Sequence, residues 1–358
     1  MRSLNLNYLK NITLKTPQGS TLKKIGEYQG KQALFARQTP EILESLKQVA
    51  QIESSESSNR IEGVTAPPGR IKALVMESTQ PQDRSEQEIA GYRDGLDLVH
   101  ESAEYMALSR MSILRLHSTM YRYLPQPGGQ WKTRDNKIIE ITDKGKEVRF
   151  EPVSAKKTPE AVETLIRNFD QAVNQHQLEP LIVIPLAILD FLCIHPFTDG
   201  NGRVSRLLTL LLLYHFDYHV GRYISLERII EESKVTYYET LKQSSQKWHD
   251  GEHDPHPWMN YFWGVLLRAY QEFEERVGEI RTTKLSKTEQ IRMAVERRIG
   301  LFAISDIEAD CPKVSRDMIR LVLRELRDED VIVVRGRGRG AKWLRVAEKE
   351  PETVKGKS

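Results

Sequence analysis

From Leu181 to Ile194 the chain is almost uniformly apolar, and from Leu207 to Leu213 it is so again. Runs of this kind, without polar alternation, read as helices buried on all sides. They are too short, and too firmly interrupted, to span a bilayer. Between them lies His195-Pro196-Phe197-Thr198-Asp199-Gly200-Asn201-Gly202-Arg203-Val204-Ser205-Arg206, a polar turn framed by core. A chain built this way has to be helical around the turn and has to use its polar groups for something other than packing.

The residue types say what that use is. Gly200 and Gly202 allow a tight turn and a close approach of backbone N–H groups to a ligand. Asn201 adds a side-chain donor. The turn then feeds a helix N-terminus, where unpaired N–H groups and the dipole favour an anion. Arg203 and Arg206 offer forked donors suited to phosphate oxygens. Asp199 is a hard oxygen ligand of the kind that holds Mg²⁺ beside a phosphate. His195 can accept a proton near neutral pH. Together they describe nucleotide phosphate chemistry.

His195 to Arg206 resembles, position for position, the signature of the Fic family: His-Pro-Phe, a variable residue, Asp or Glu, Gly-Asn-Gly-Arg, two variable residues, Arg. The resemblance implies a mainly α fold that transfers AMP from ATP to a hydroxyl on a target protein. It assigns His195 as the base that deprotonates the hydroxyl and Asp199 as the Mg²⁺ ligand. Gly200, Asn201 and Gly202 would cradle the phosphates, with Arg203 on the outer ones and Arg206 on the terminal one. Phe197 would face the core. Tyr237 or Tyr238, in a later helix, would lie against the adenine.

A second motif lies upstream. Thr39-Pro40 reads as a helix start, with a capping hydroxyl and proline at the first helical position. Ile42, Leu43, Leu46, Val49, Ala50 and Ile52 mark one apolar face. The helix ends in a serine-rich segment and a stop at Gly63. Ser58, Glu62 and Gly63 match the inhibitory pattern of Fic proteins: Ser or Thr, three residues, Glu, then Gly or Asn. The resemblance implies that Glu62 reaches Arg206 and blocks the seat of the terminal phosphate.

Around these motifs the chain reads as follows. Residues 1–38 are polar, with three glycines, and read as irregular structure with a short strand or hairpin. Ser85-Glu86-Gln87-Glu88 reads as a capping box opening a helix that runs to about Ser102. Met111 to Tyr121 is a further helix. Lys137 to Ile141 and Glu147 to Phe150 are short strand-like runs around a turn at Asp143 to Lys146. The resemblance makes this hairpin a flap that docks the target peptide by strand addition. Trp131, Lys137, Ile138, Ile139 and Glu140 would form its leading edge. Pro180 and Pro185 flank the start of the buried helix. Tyr223 to Leu226 leads into one helix carrying Tyr237 and Tyr238, and Pro257 to Val277 is another, rich in packing aromatics.

The last part changes character. Lys287 to Arg298, Ile304 to Ala309 and Ser315 to Arg327 read as three helices. Val331 to Val334 and Lys342 to Val346 read as strands around an arginine- and glycine-rich turn. This order resembles a winged helix, with Ser315, Arg316, Arg320 and Arg324 on its third helix and Arg335, Arg337 and Arg339 in the wing. Such a face can meet DNA phosphates or a protein. The expected organisation is therefore an N-terminal region 1–105 with an inhibitory helix 39–63, a Fic core 106–285 with a β-hairpin flap, a winged-helix-like domain 287–347 and a disordered tail 348–358.

Composition sets outer bounds. There are 358 residues, enough for two or three domains at about 100–200 residues each. A net charge of +3 is too small to argue nucleic-acid or membrane binding for the whole molecule. The two cysteines, Cys193 and Cys311, suggest no disulfide framework. With no apolar run after Met1, a reduced cytoplasm is expected. The expected partners are ATP and a target protein; no membrane is expected, and a homo-oligomer is compatible with the reading. The rival readings are another nucleotide or phosphate donor on the same scaffold, removal of AMP with Glu62 acting on a water, or a DNA-binding regulator whose core senses nucleotide.

Overall fold

The computed structural model describes residues 3–38, 40–142, 145–284, 286–296, 298, 301–312, 314–336 and 341–345. Two compact units are present, Met1–Glu275 and Arg276–Ser358.

The first unit is helical apart from one hairpin. Its elements are α1 (Leu6–Leu9), α2 (Thr16–Gln38), α3 (Pro40–Ile61), α4 (Pro68–Met76), α5 (Arg84–Ser102), α6 (Arg110–Met120), β1 (Ile138–Thr142), β2 (Gly145–Phe150), α7 (Thr158–Asp170), α8 (Pro180–Ile194), α9 (Asn201–His215), α10 (Leu226–Glu232), α11 (Lys234–Ser245) and most of α12 (His256–Lys284), whose last turns belong to the second unit. Helices α8 and α9 form the centre. Leu181, Ile184, Leu189, Phe191 and Ile194 on α8, with Leu207, Leu211 and Leu213 on α9, are each 2% exposed or less. These residues lie on every face, which is why the sequence shows no stripe there. Around the pair, α3 packs on α5 and α10, α5 on α6 and α9, and α7 on α8.

Two features of α8 needed the tertiary structure. Pro180 begins the helix as expected, but Pro185 lies inside it. Proline has no N–H, so the Leu181 carbonyl one turn back loses its helical donor. The Trp263 indole donates to that carbonyl at 2.7 Å, and Trp258 donates to the Pro185 carbonyl at 2.7 Å. Asp190 is a carboxyl buried in this apolar helix. Its Oδ1 accepts from Ser3 Oγ at 2.5 Å, from the Ser3 N–H at 3.3 Å and from Trp248 Nε1 at 2.6 Å, tying the N-terminal segment to the core.

Several expectations change. Within the expected irregular stretch 1–38, the described residues form α1 and α2 rather than a strand or hairpin. The glycines of α2 are in open space, and tertiary packing of Gln18, Ile25 and Gln32 holds the helix. The cap of α5 is Asp83, which accepts from the Glu86 N–H at 2.9 Å, so Ser85 lies inside the helix. Ser233 divides the expected single helix into α10 and α11. The cap at Thr39 and the turn residues Asp143 and Lys144 lie outside the described residues. Strands β1 and β2 pair antiparallel, with Ile139 opposite Val148 and Glu140 opposite Glu147.

The second unit contains α13 (Lys287–Glu296), β3 (Leu301–Phe302), α14 (Ile304–Asp310), α15 (Arg316–Asp328), β4 (Ile332–Arg335) and β5 (Lys342–Arg345). The expected three helices and two strands are joined by β3, giving an antiparallel sheet in the order β3-β5-β4. Its core gathers Ile291, Phe302, Ile307, Ile319, Val322 and Ile332. Arg337 and Arg339 of the wing, and the tail from 348 onward, lie outside the described residues.

Candidate active site

Helix α8 ends at Ile194, and His195 follows in the left-handed conformation, φ 51° and ψ 62°. Its N–H still donates to the Phe191 carbonyl at 2.9 Å. Nδ1 lies 3.3 Å from the Leu192 carbonyl. A carbonyl only accepts, so Nδ1 carries the proton and Nε2 keeps the lone pair. Burial is the main cause that lowers the imidazole pKa, to about 4, so it is neutral at pH 7.

The turn after His195 is braced from within. Phe197 N–H donates to Asn201 Oδ1 at 2.9 Å, and Asn201 Nδ2 donates back to the Phe197 carbonyl at 2.8 Å. The side chain expected to add a phosphate donor is thus buried and committed to the loop, and Asn201 offers an anion its backbone N–H at the start of α9. Gly200 has φ +80°, a conformation that costs a side-chain-bearing residue. Phe197 is fully buried, as expected, and stacks flat on His117 of α6 with ring centroids 3.8 Å apart.

His117 and Tyr121 are functional neighbours that the sequence reading missed. His117 Nδ1 accepts from the Gly129 N–H at 2.8 Å, so its Nε2 carries the proton and donates to the Asp199 carbonyl at 3.2 Å. Tyr121 donates to Asp199 Oδ2 at 3.2 Å. Asp199 Oδ1 accepts from the Gly200 N–H at 2.7 Å, while its side chain stays 67% exposed. Nothing in the α6 sequence marks these two rings as belonging to a site formed around residue 199.

The two arginines go to different places. Arg203 is buried, and its Nη1 donates to Glu88 Oε2 at 2.6 Å and Asn59 Oδ1 at 3.3 Å. Its Nη2 lies 3.6 Å from Asp199 Oδ2. Glu88, read from sequence as part of a capping box, is in fact the buried partner of Arg203. Arg206 Nε donates to Ser58 Oγ at 2.8 Å, and Nη2 donates to the Ser58 carbonyl at 2.8 Å and to Glu62 Oε1 at 2.9 Å. Burial opposes the charge on Arg206, but Glu62 together with Tyr237 and Tyr92 outweighs it, and the guanidinium holds its proton more firmly than usual. Gly63, at φ 85°, follows the end of α3. A Cβ at Gly202 would lie 2.3 Å from Glu62 Oε1, so glycine at 202 is what lets the carboxylate settle over the helix start.

Glu62, His195 and Gly202 share a cavity of about 500 Å³ with Arg149, Leu189 and Tyr238. Tyr238 is half-buried, and Arg149 of β2 lies over its ring at 5.8 Å and donates to its carbonyl at 2.8 Å. Tyr237 is buried among Trp258 and Tyr261, so Tyr238 is the more open of the two rings. Lys137, Ile138 and Ile139 also line the cavity, with Ile139 and Val148 more than half exposed. Glu140 is the next residue of β1, paired with Glu147. Trp131 lies outside the hairpin, with its ring against Phe197 at 5.3 Å.

Residues 107–213, which hold α6, the hairpin, α8, the turn and all but the last two residues of α9, match the Fic/DOC family. The chain carries a Fic domain. Over 65 residues it is 35% identical to a Fido domain-containing protein of Dictyostelium discoideum, a stretch covering 17% of this chain and 46% of that protein. The match thus spans about half the length of that relative. A Fic family protein of Desulfovibrio desulfuricans is similar in structure with a TM-score of 0.63 at 19% identity, covering 95% of this chain and 99% of that one. A Fic domain-containing signaling protein of Bacteroides thetaiotaomicron gives 0.59 at 23% identity, covering 69% and 95%. Fic-1 of C. elegans gives 0.55 at 19% identity, covering 74% and 73%. At these identities the structures share the Fic fold, a helical core with a two-stranded hairpin. No helix among the described residues is long and apolar enough to cross a membrane.

Proposed function

We propose that the chain is a protein adenylyltransferase that moves AMP from ATP to a Ser, Thr or Tyr hydroxyl of a target protein and is held inactive by Glu62. The observation that carries this reading is the contact of Glu62 with Arg206 at 2.9 Å, in the same cavity as the lone-pair nitrogen of His195. A carboxylate there neutralises the arginine and fills the space a terminal phosphate would need. Arg206 Nη1 and Arg203 Nε are buried donors without an acceptor among the described residues, which suits a site for a polyanion.

In the reaction, the target hydroxyl gives its proton to His195 Nε2 and its oxygen bonds to the α-phosphorus. The bond from that phosphorus to the bridging oxygen breaks, and pyrophosphate leaves with the electron pair. The backbone N–H groups at the start of α9 and the orphaned arginine donors hold the phosphate oxygens. Asp199 fits a Mg²⁺ ligand: it is one exposed carboxylate, and among the described residues no cluster of three acids, histidines or cysteines competes with it. Mg²⁺ commonly takes one or two carboxylates plus substrate phosphates and water, and it would neutralise charge on those phosphates. Tyr238 and Arg149 are placed to flank the base. The exposed pair Ile139 and Val148 on the hairpin suits strand addition by the target.

The second unit is read as a winged-helix-like module meeting DNA or a protein. Arg316, Arg320 and Arg324 are exposed along one face of α15, with Arg316 engaged by Glu308 and Arg320 by Asp317. The deciding experiment for the active site is labelling with ATP carrying a labelled α-phosphate. Covalent label that depends on His195 supports the transferase. Tight nucleotide binding without label points to a sensor, and loss of label from a pre-modified target points to AMP removal.

A further inference from the structure

Lys132 is a buried cation with no role in the chemistry above. It is 3% exposed, and among the described residues no carboxylate makes an ion pair with it. A buried ammonium without a contacting counter-ion is costly, and burial lowers its pKa to about 8, opposed only by Asp135 at a distance. Its partners are uncharged. Nζ donates to the Ile194 carbonyl at 3.1 Å and to Asn136 Oδ1 at 2.9 Å. The Lys132 N–H donates to the Pro196 carbonyl at 2.9 Å, and Asn136 Nδ2 donates to the Phe197 carbonyl at 3.2 Å. The carbonyls on either side of His195 are therefore both bound by one residue. His195 itself sits in the left-handed region, where a non-glycine residue persists only when its surroundings impose it.

We infer that Lys132 is a positioning residue for His195: with Asn136 it clamps the backbone on both sides of the imidazole, and its ammonium adds to the burial that disfavours a charged ring there. The inference rests on the reading of His195 as the base. The charged groups that shift the His195 pKa most are Lys132 from the segment before the hairpin, Glu62 from just beyond α3 and Asp199 from the turn, and Lys137 and Arg149 line the same cavity. Burial lowers the imidazole pKa most, the Leu192 carbonyl raises it, Lys132 lowers it, and Glu62 and Asp199 raise it. Lys132 is the one cation among these causes. A lysine that only filled a polar gap would hold the loop equally well without its charge.

The test follows the His195 imidazole by nitrogen NMR across pH in the full chain, its signal assigned by comparison with His195→Ala. In wild type the midpoint should lie well below the usual 6.5. Lys132→Gln keeps an N–H for the Ile194 carbonyl but carries no charge, and it should raise the midpoint by about one unit, the ordinary spread of histidine values in folded proteins. Lys132→Arg should keep it low. In a Glu62→Gly background, Lys132→Gln should lower kcat with KM little changed, and Lys132→Arg should recover part of the loss. A wild-type midpoint at 6.5, equal midpoints in wild type and Lys132→Gln, or an equal rise in Lys132→Arg would each overturn the inference. If Lys132→Gln does not fold, Lys132→Met, which keeps the stem without the charge, takes its place in the titration. An unchanged midpoint with transfer intact sinks the clamp alone, whereas absence of transfer with the expected midpoints sinks the transferase reading alone.

Discussion

At the scale of single residues, the contact between Glu62 and Arg206 sets the expected behaviour of the site. Glu62→Gly removes the charge and the bulk over the start of α9 and leaves Arg206 free for a phosphate. Labelling by ATP should rise by at least about tenfold, the change that 1.4 kcal/mol of relieved competition brings. The double variant with His195→Ala should return to background, since a general base acts on the transition state and little on ground-state binding. A side-by-side time course checks both, and equal labelling by wild type and Glu62→Gly would sink the autoinhibition. Asp199→Ala should abolish the Mg²⁺ dependence of whatever labelling remains, read by metal titration. Because Arg203 is engaged by Glu88 and Asn59, Arg203→Ala should weaken nucleotide binding and also lower the melting temperature. Removing the buried partner leaves Glu88 with only the exposed Arg84, at 3.0 Å.

At the scale of elements, α3 delivers Glu62 immediately after its last residue and is gripped by α10. Ser54 Oγ donates to Glu227 Oε2 at 2.8 Å, and Tyr92 donates to Glu227 Oε1 at 2.8 Å. Nearer the helix end, Arg60 pairs with Glu231 at 2.5 Å, and Lys234 Nζ donates to the Ile61 carbonyl at 2.6 Å. These bonds differ in worth because they differ in burial. Glu227→Ala would take a buried acceptor from Tyr92 and Ser54, a loss of roughly 1–3 kcal/mol for a buried group left unsatisfied, although Ser54 keeps Ser225 at 2.9 Å, and should raise basal labelling as α3 loosens. Arg60→Ala removes a partly exposed pair and should change stability by less than about 1 kcal/mol. Denaturant melts of the two variants beside the labelling assay check this. Equal destabilisation would mean that the buried network is not what seats the helix.

At the scale of the whole molecule, the second unit has its own core and holds none of the candidate active-site residues. Deleting residues 287–358 should leave labelling by a Glu62→Gly chain in place, and a folded truncation without activity would contradict this. Stability should also depend on pH in a defined direction. Burial lowers the imidazoles of His117 and His195 to about 4 and that of His100 to about 3. They are neutral in the fold and titrate near 6.5 when unfolded. Between 6.5 and about 4 the unfolded chain binds more protons, so stability falls as pH drops through that window, by roughly 3 kcal/mol for an imidazole shifted two units. Asp97, raised to about 6 by burial, and Asp190, raised likewise, act in the opposite sense and offset part of the loss. The melting temperature should therefore fall between pH 7 and pH 5, and a flat profile would mean that these imidazoles are not held neutral.

The sequence alone specified the two buried helices, the turn between them and the chemistry of its residues, because those depend on local patterning and residue type. It also placed Glu62 opposite Arg206, although that rested on a resemblance between two distant short motifs. It located the hairpin and the order of elements in the last part, since turn residues and strand alternation are local signals. The helix α2 was not legible, because glycines suppressed its propensity and tertiary packing, of Gln18, Ile25 and Gln32 among others, holds it. Tertiary structure alone decided the partners of charge. Glu88 proved to bind Arg203, Asn201 proved to brace the turn, His117 and Tyr121 came to Asp199 from α6, and Lys132 came to the carbonyls beside His195. The physical reason is common to all four: a buried polar group must find a partner somewhere, and which one it finds depends on where the whole chain places the alternatives.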